Sequence, residues 1–190
     1  MRLYDVFPTE IEYKGNKYKL KLTVSNVLEA FDTLKRTDLI EEDKLDYCLF
    51  LFFEENYPME IGLLNAVFKL IDAEKAKSKG KRTFDFTQDA ALIYAAFWQV
   101  YGIDLMETPL HWYKFIALLQ GLPDGTRLAE IIKIRTMPLP KPDKYNVKER
   151  ENLIRLKREY AIKTTEEEKR NEFQQGLLAM FNSLKAKAGD

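Results

Sequence analysis

The sequence predicts a mainly α protein: a helical bundle with a small N-terminal β-hairpin and a charged C-terminal helical segment free to extend from it. Three observations carry this. Strand-like alternation around a turn dipeptide is confined to the first 24 residues. From residue 25 onward, apolar side chains recur at helical spacing. After a triple-proline stretch, 18 of the 32 residues 141–172 are Asp, Glu, Lys or Arg. The expected organisation is a hairpin packed on the bundle (1–24), a helical core (25–136), a Pro-rich linker (137–145) and charged C-terminal helices (146–190).

In TEIEYKGNKYKLKLTV, Gly15-Asn16 suits a two-residue turn because both residues tolerate positive φ. That turn places Tyr13 opposite Tyr18 and Ile11 opposite Leu20, with Glu12 facing Lys19 and Glu10 facing Lys21 on the other side. An isolated ribbon is marginal in water, so it must rest on the bundle. Ser25 can cap a helix over 26–35 with Val27, Leu28, Phe31 and Leu34 on one side. A second helix, 41–55, contains LDYCLFLFF and is apolar nearly all round, which makes it central. A third, 59–79, turns Ile61, Leu64, Val67, Phe68 and Ile71 inward, and KAKSKGKR breaks it by charge repulsion and Gly80.

Asp85 and Gln88 then have capping-box spacing ahead of a helix running to Tyr101, where Gly102 can take the left-handed residue that ends it. Ile93, Tyr94, Phe97, Trp98 and Tyr101 have helical spacing and read as core. Thr108-Pro109 suits the N-cap and first position of a helix over 109–120, and another covers 126–136 after the Pro-Asp-Gly turn. The prolines of MPLPKPD (137–143) stop helical structure. Helices over 146–160 and 165–185 follow, the second opened by Thr165 and Glu168. Its Phe173, Leu177, Met180, Phe181 and Leu184 form one apolar stripe, the candidate partner-binding residues of the chain.

Composition excludes several functions. Thirty basic and thirty acidic side chains cancel, leaving no global electrostatic case for nucleic-acid binding, although KAKSKGKR is a local basic run. Cys48 is the only cysteine, so no internal disulfide exists and a reducing cytoplasm is expected. The N-terminus lacks a signal-peptide core, and no apolar run reaches the ~18 residues of a membrane span. One Cys and one His cannot supply a zinc centre. No G-x-S-x-G elbow surrounds a serine, and no phosphate-binding glycine pattern occurs. Asp85 and Asp89 read as helix-capping acids rather than a cation site, which would want more oxygen ligands. His111 reads as a packing or hydrogen-bonding residue. No catalytic residue, metal site or cofactor is expected.

The middle of the chain carries F-D-x-x-Q-D-A-x-x-I-Y-x-x-F at Phe84, Asp85, Gln88, Asp89, Ala90, Ile93, Tyr94 and Phe97. Y-G-I-D-L follows at 101–105, then L-H-W-x-x-F at Leu110, His111, Trp112 and Phe115, and L-x-G-L at Leu119, Gly121 and Leu122. T-x-x-x-x-I-x-x-x-R closes the pattern at Thr126, Ile131 and Arg135. In these residues the chain resembles the bacteriophage gene-product-fifteen family, small proteins encoded between the tail-tube and tape-measure genes of long-tailed phages. The resemblance implies a protein similar to tail-assembly chaperones, with the tape-measure protein and tail-tube subunits as partners, a homo-oligomer as an option, and the bacterial host cytoplasm as its location. It implies no enzyme. The competing expectation is a structural head–tail connector or minor virion component.

Overall fold

In the computed structural model, which describes residues 6–73 and 83–163, seven helices and one two-stranded antiparallel hairpin pack around a continuous core. The elements are β1 (Glu10–Tyr13), β2 (Asn16–Lys19), α1 (Val24–Lys35), α2 (Glu41–Phe52), α3 (Ile61–Ala73), α4 (Ala90–Tyr101), α5 (Trp112–Gln120), α6 (Arg127–Thr136) and α7 (Val147–Glu159). The protein is mainly α, as the sequence predicts. The basic run at 75–82 and the expected helix over 165–185 lie outside the described residues.

The hairpin turns one residue earlier than expected. Lys14 and Gly15 are its central residues, with φ of 50° and 80°. Glycine thus takes the second position of a turn that requires positive φ at both. The register becomes Ile11 opposite Tyr18, Glu10 opposite Lys19 and Glu12 opposite Lys17, in place of the expected Ile11–Leu20 and Glu12–Lys19 pairs. Because the pairing shifts by two residues, each side chain keeps its predicted face. Ile11 and Leu20 are buried, and Lys17 reaches Glu10 at 3.4 Å in solvent. Beyond β2 the chain pairs Leu20 with Phe53 at the end of α2, and the Lys21 N–H donates to the Phe52 carbonyl at 2.8 Å. At the turn, the Tyr13 hydroxyl and Lys14 ammonium both meet Glu60, at 2.9 and 2.6 Å, which holds that carboxyl below its ordinary range. Gly62 sits under this contact: a Cβ there would lie 2.2 Å from the Tyr13 oxygen.

Helix starts are set by extended segments that pair across the fold. Thr23, not Ser25, caps α1, accepting from the Asn26 N–H at 3.3 Å. His111, not Thr108, caps α5. The cause is shared: the Val24 N–H donates to the Leu110 carbonyl and the Trp112 N–H to the Leu22 carbonyl, at 2.9 and 2.8 Å. These bonds hold 22–23 and 110–111 extended until each helix can begin, so Pro109 lies outside α5. Gly102 ends α4 with φ of 62°, as expected, and Thr126, expected as the first residue of α6, is its cap.

The largest fully buried side chains are Trp112, Phe52, Phe53, Phe97 and Phe115. Phe97 stacks on Phe115 with ring centroids 5.1 Å apart, and Phe86 reaches Trp112 at 5.7 Å. Burying aromatic area on this scale dominates the folding energy. Five expected inward residues face outward instead. Leu34 and Ile61 yield their places to Ala30, Thr33 and Leu63, Tyr47 and Phe50 leave the central helix for solvent, and Trp98 leaves the aromatic core. The chain after the prolines returns to the bundle: α7 buries Leu153 beside α6, and Lys157 donates to the Arg135 carbonyl at 2.8 Å.

Candidate functional site

The chemistry-bearing residues of the middle segment converge at the start of α4. Asp85 Oδ1 accepts from the N–H groups of Thr87 and Gln88 at 2.8 and 2.6 Å. The return bond of this capping arrangement comes from Asp89 rather than Gln88: Asp89 Oδ2 accepts from the Asp85 N–H at 2.9 Å. Asp89 is buried, and Arg135 of α6 grips it with both arms, Nη1 to Oδ2 at 2.6 Å and Nη2 to Oδ1 at 2.9 Å. The same guanidinium donates through Nε to the Tyr160 carbonyl at 2.6 Å and through Nη1 to the Thr83 carbonyl at 3.1 Å. One planar cation therefore ties α4, α6, the segment before α4 and the end of α7, a geometry that arginine's fork provides and lysine's does not. Gln88, freed from capping, donates to the Ala161 carbonyl at 3.0 Å and accepts from the Lys163 N–H at 2.9 Å.

Sequence reasoning took Asp89 for a capping acid and gave Arg135 no role. The available signal was that both lie within the family-like pattern with opposite charge, Arg135 at the end of a half-apolar helix.

His111 is a scaffold residue here. Its Nδ1 accepts from the Tyr113 N–H at 3.2 Å, which leaves the Nε2 hydrogen to donate to the Pro8 carbonyl at 3.2 Å. Its ring stacks on Phe7 with centroids 4.9 Å apart. Burial pushes the imidazole below its ordinary pKa, against the opposing pull of the Pro8 carbonyl. Cys48 is fully buried with its sulfur 3.8 Å from the Ala30 carbonyl, and burial pushes its thiol up to about 11. Both arrangements stabilise the neutral side chain. Among the described residues, no group of three or more His, Cys, Asp or Glu is placed to hold a metal ion, and no helix is long and apolar enough to cross a membrane.

The predicted partner-binding residues Phe173, Leu177, Met180, Phe181 and Leu184 lie outside the described residues. Within the bundle, two exposed aromatic sites stand out. Tyr47 and Phe50 on α2 stack with centroids 6.4 Å apart and are 40% and 63% exposed, Tyr47 hydrogen-bonding Glu29 of α1. Trp98 on α4 is 56% exposed. Neither was foreseen as a surface: LDYCLFLFF reads as central because it is apolar nearly all round, and Trp98 reads as part of a core stripe by its spacing.

The described residues form a hairpin-capped helical bundle locked by the buried Asp89–Arg135 ion pair. The chain belongs to the Bacteriophage Gp15 protein family, which matches residues 3–162. No curated protein and no solved structure matches it. The family match stops just before the segment that carries the apolar stripe.

Proposed function

We propose that this phage protein is a tail-assembly chaperone that binds the tape-measure protein, tail-tube subunits or both during tail morphogenesis in the host cytoplasm. The observation that carries the proposal is family membership over residues 3–162, joined to the gene neighbourhood that the resemblance implies. A tape-measure protein is long and helical, and holding such helices calls for exposed apolar side chains rather than a reactive pocket. Phe50 with Tyr47, and Trp98, supply such side chains on the bundle. Phe173, Leu177, Met180, Phe181 and Leu184, which recur at helical spacing in the sequence, supply a further apolar set beyond it. The activity needs no cofactor and no catalytic residue.

The test is co-expression with the tape-measure protein of the same phage, followed by pull-down and a solubility assay. A soluble, co-purifying tape-measure protein is expected. An insoluble and unbound one, with this chain present in fixed copy number in purified virions, sinks the chaperone in favour of a connector. L177D/F181D and Phe50→Asp then locate the contact: whichever loses capture while remaining folded carries the client.

A further inference from the structure

The chain is neutral as a whole but not along its length. Residues 24–55, which contain α1 and α2, hold nine acidic side chains and three basic ones. Residues 133–163, from the end of α6 through α7, hold ten basic and four acidic. The two stretches thus carry equal excesses of opposite sign. They belong to different helix packings, α2 lying on α1 and α3, and α7 on α6. Among the described residues no ion pair joins them.

Each stretch exposes apolar side chains where its charge is uncompensated. On α2, Asp43, Asp46, Tyr47 and Phe50 are exposed and share one stripe, the last three being three, four and seven residues past the first. The three cations of this stretch are engaged elsewhere: Lys35 with Asp32, Arg36 with Asp38 and Lys44 with Glu41, at 3.1, 2.5 and 2.7 Å. Asp43 and Asp46 form no ion pair among the described residues. The entry to α7 is the counterpart. Lys141, Lys144 and Lys148 are exposed there, likewise without an ion pair among the described residues, around Tyr145, 84% exposed, and the exposed Val147. Lys144 Nζ stands 4.9 Å from the centroid of the Tyr145 ring.

An exposed aromatic patch flanked by one sign of charge selects an occupant of the opposite sign. This chain carries that complement itself: acids beside Tyr47 and Phe50 match lysines beside Tyr145 and Val147. Because the excesses are equal, a second copy neutralises the face it meets. A contact between two different surfaces is heterologous and leaves one face open at each end for the next copy.

We propose that copies of this chain associate head to tail, the α2 stripe of one seated against the entry to α7 of the next. The aromatic side chains supply the contact, and the opposed charges set its register and speed the encounter. The proposal concerns the protein alone and stands whether or not the chaperone reading does.

Sedimentation velocity on the full chain, free of nucleic acid and of any client, tests it. Concentration-dependent association is expected at about 0.05 M salt and should weaken at least about tenfold at about 0.5 M, where screening shortens the reach of each charge. D43K/D46K and K144E/K148E should each sediment as a single chain at unchanged far-UV circular dichroism. All four substitutions in one chain should restore association, because opposite charges then face each other in exchanged places. That recovery also shows that neither pair of substitutions acts by unfolding. A wild-type chain that stays single at every concentration overturns the proposal. So does association that ignores salt or either pair of substitutions, or that the exchanged chain fails to recover. Binding of a DNA or RNA oligonucleotide by a single wild-type chain, lost in K144E/K148E, assigns the basic face to nucleic acid and overturns it as well.

Discussion

Replacing Arg135 with Met keeps the aliphatic stem and removes four hydrogen bonds: two to Asp89, one to Tyr160 and one to Thr83. The larger effect falls on what remains. Asp89 is 2% exposed and would be left as a carboxylate with only the Asp85 N–H at 2.9 Å. Breaking a buried, bidentate pair by deleting one partner costs about 3–5 kcal/mol, mostly through the uncompensated charge. For a chain of this size, that lowers Tm by about 6–20 °C at roughly 2–4 °C per kcal/mol. Urea denaturation followed by circular dichroism, at fixed m, gives the figure directly. An internal control is available in Arg155, which pairs with Glu159 at 3.2 Å with both side chains exposed; Arg155→Met should cost no more than about 0.5 kcal/mol. Arg135→Lys should fall between, because one ammonium cannot hold both carboxylate oxygens and both carbonyls. An Arg135→Met chain as stable as Arg155→Met would refute the assignment of Asp89–Arg135 as the lock of the fold.

Other expectations follow from the remaining contacts. Because burial lowers the His111 pKa, the unfolded chain takes up the proton first as pH falls. The stability from neutral His111 is therefore complete above about pH 6.5 and is lost as pH drops through the folded value. His111→Asn, which retains a capping side chain, should flatten urea midpoints between pH 7.5 and 5.5; an identical pH slope in both chains counts against the assignment. Cys48, buried with its thiol pushed up to about 11, should resist a thiol reagent in the native chain and react fully on unfolding. Gly62→Ala should displace the Tyr13 hydroxyl from Glu60, and Tyr13→Phe should partly suppress its effect. A double-mutant cycle is expected to show coupling of about 0.5–1 kcal/mol, and additivity would mean that the two sites do not meet.

What was legible in the sequence was whatever depends on local period. Helix-forming spans, hairpin faces, Gly102 as the end of α4 and Thr126 at the start of α6 all follow from residues within a few positions of each other. What was not legible depends on partners far along the chain. Ser25 and Thr108 are sound local caps, yet pairing of 22–24 with 110–112 moved both starts to Thr23 and His111. Asp89 looked like a first-turn acid because Arg135 lies 46 residues away. Phe97 and Trp98 both matched a helical stripe, but neighbouring residues point about 100° apart on a helix, so only one can face the core centre. Packing against Phe115 chose Phe97.

This division bears on where function can reside. The residues that carry the family resemblance are, for the most part, those that build the interior. Asp85 and Asp89 organise the start of α4, Arg135 locks it to α6 and α7, and His111 joins the N-terminal segment to α5. Phe97, Trp112 and Phe115 fill the space between. Each polar member of that set is hydrogen-bonded within the protein itself. The pattern therefore specifies a shape, and a shape acts through what it leaves uncovered. Among the uncovered apolar side chains of the described residues are Tyr47 with Phe50 on α2 and Trp98 on α4. If the bundle itself holds the client, Phe50→Asp should slow client capture while L177D/F181D leaves it unchanged. Capture lost in L177D/F181D and kept in Phe50→Asp would instead assign the client to the apolar residues between 173 and 184.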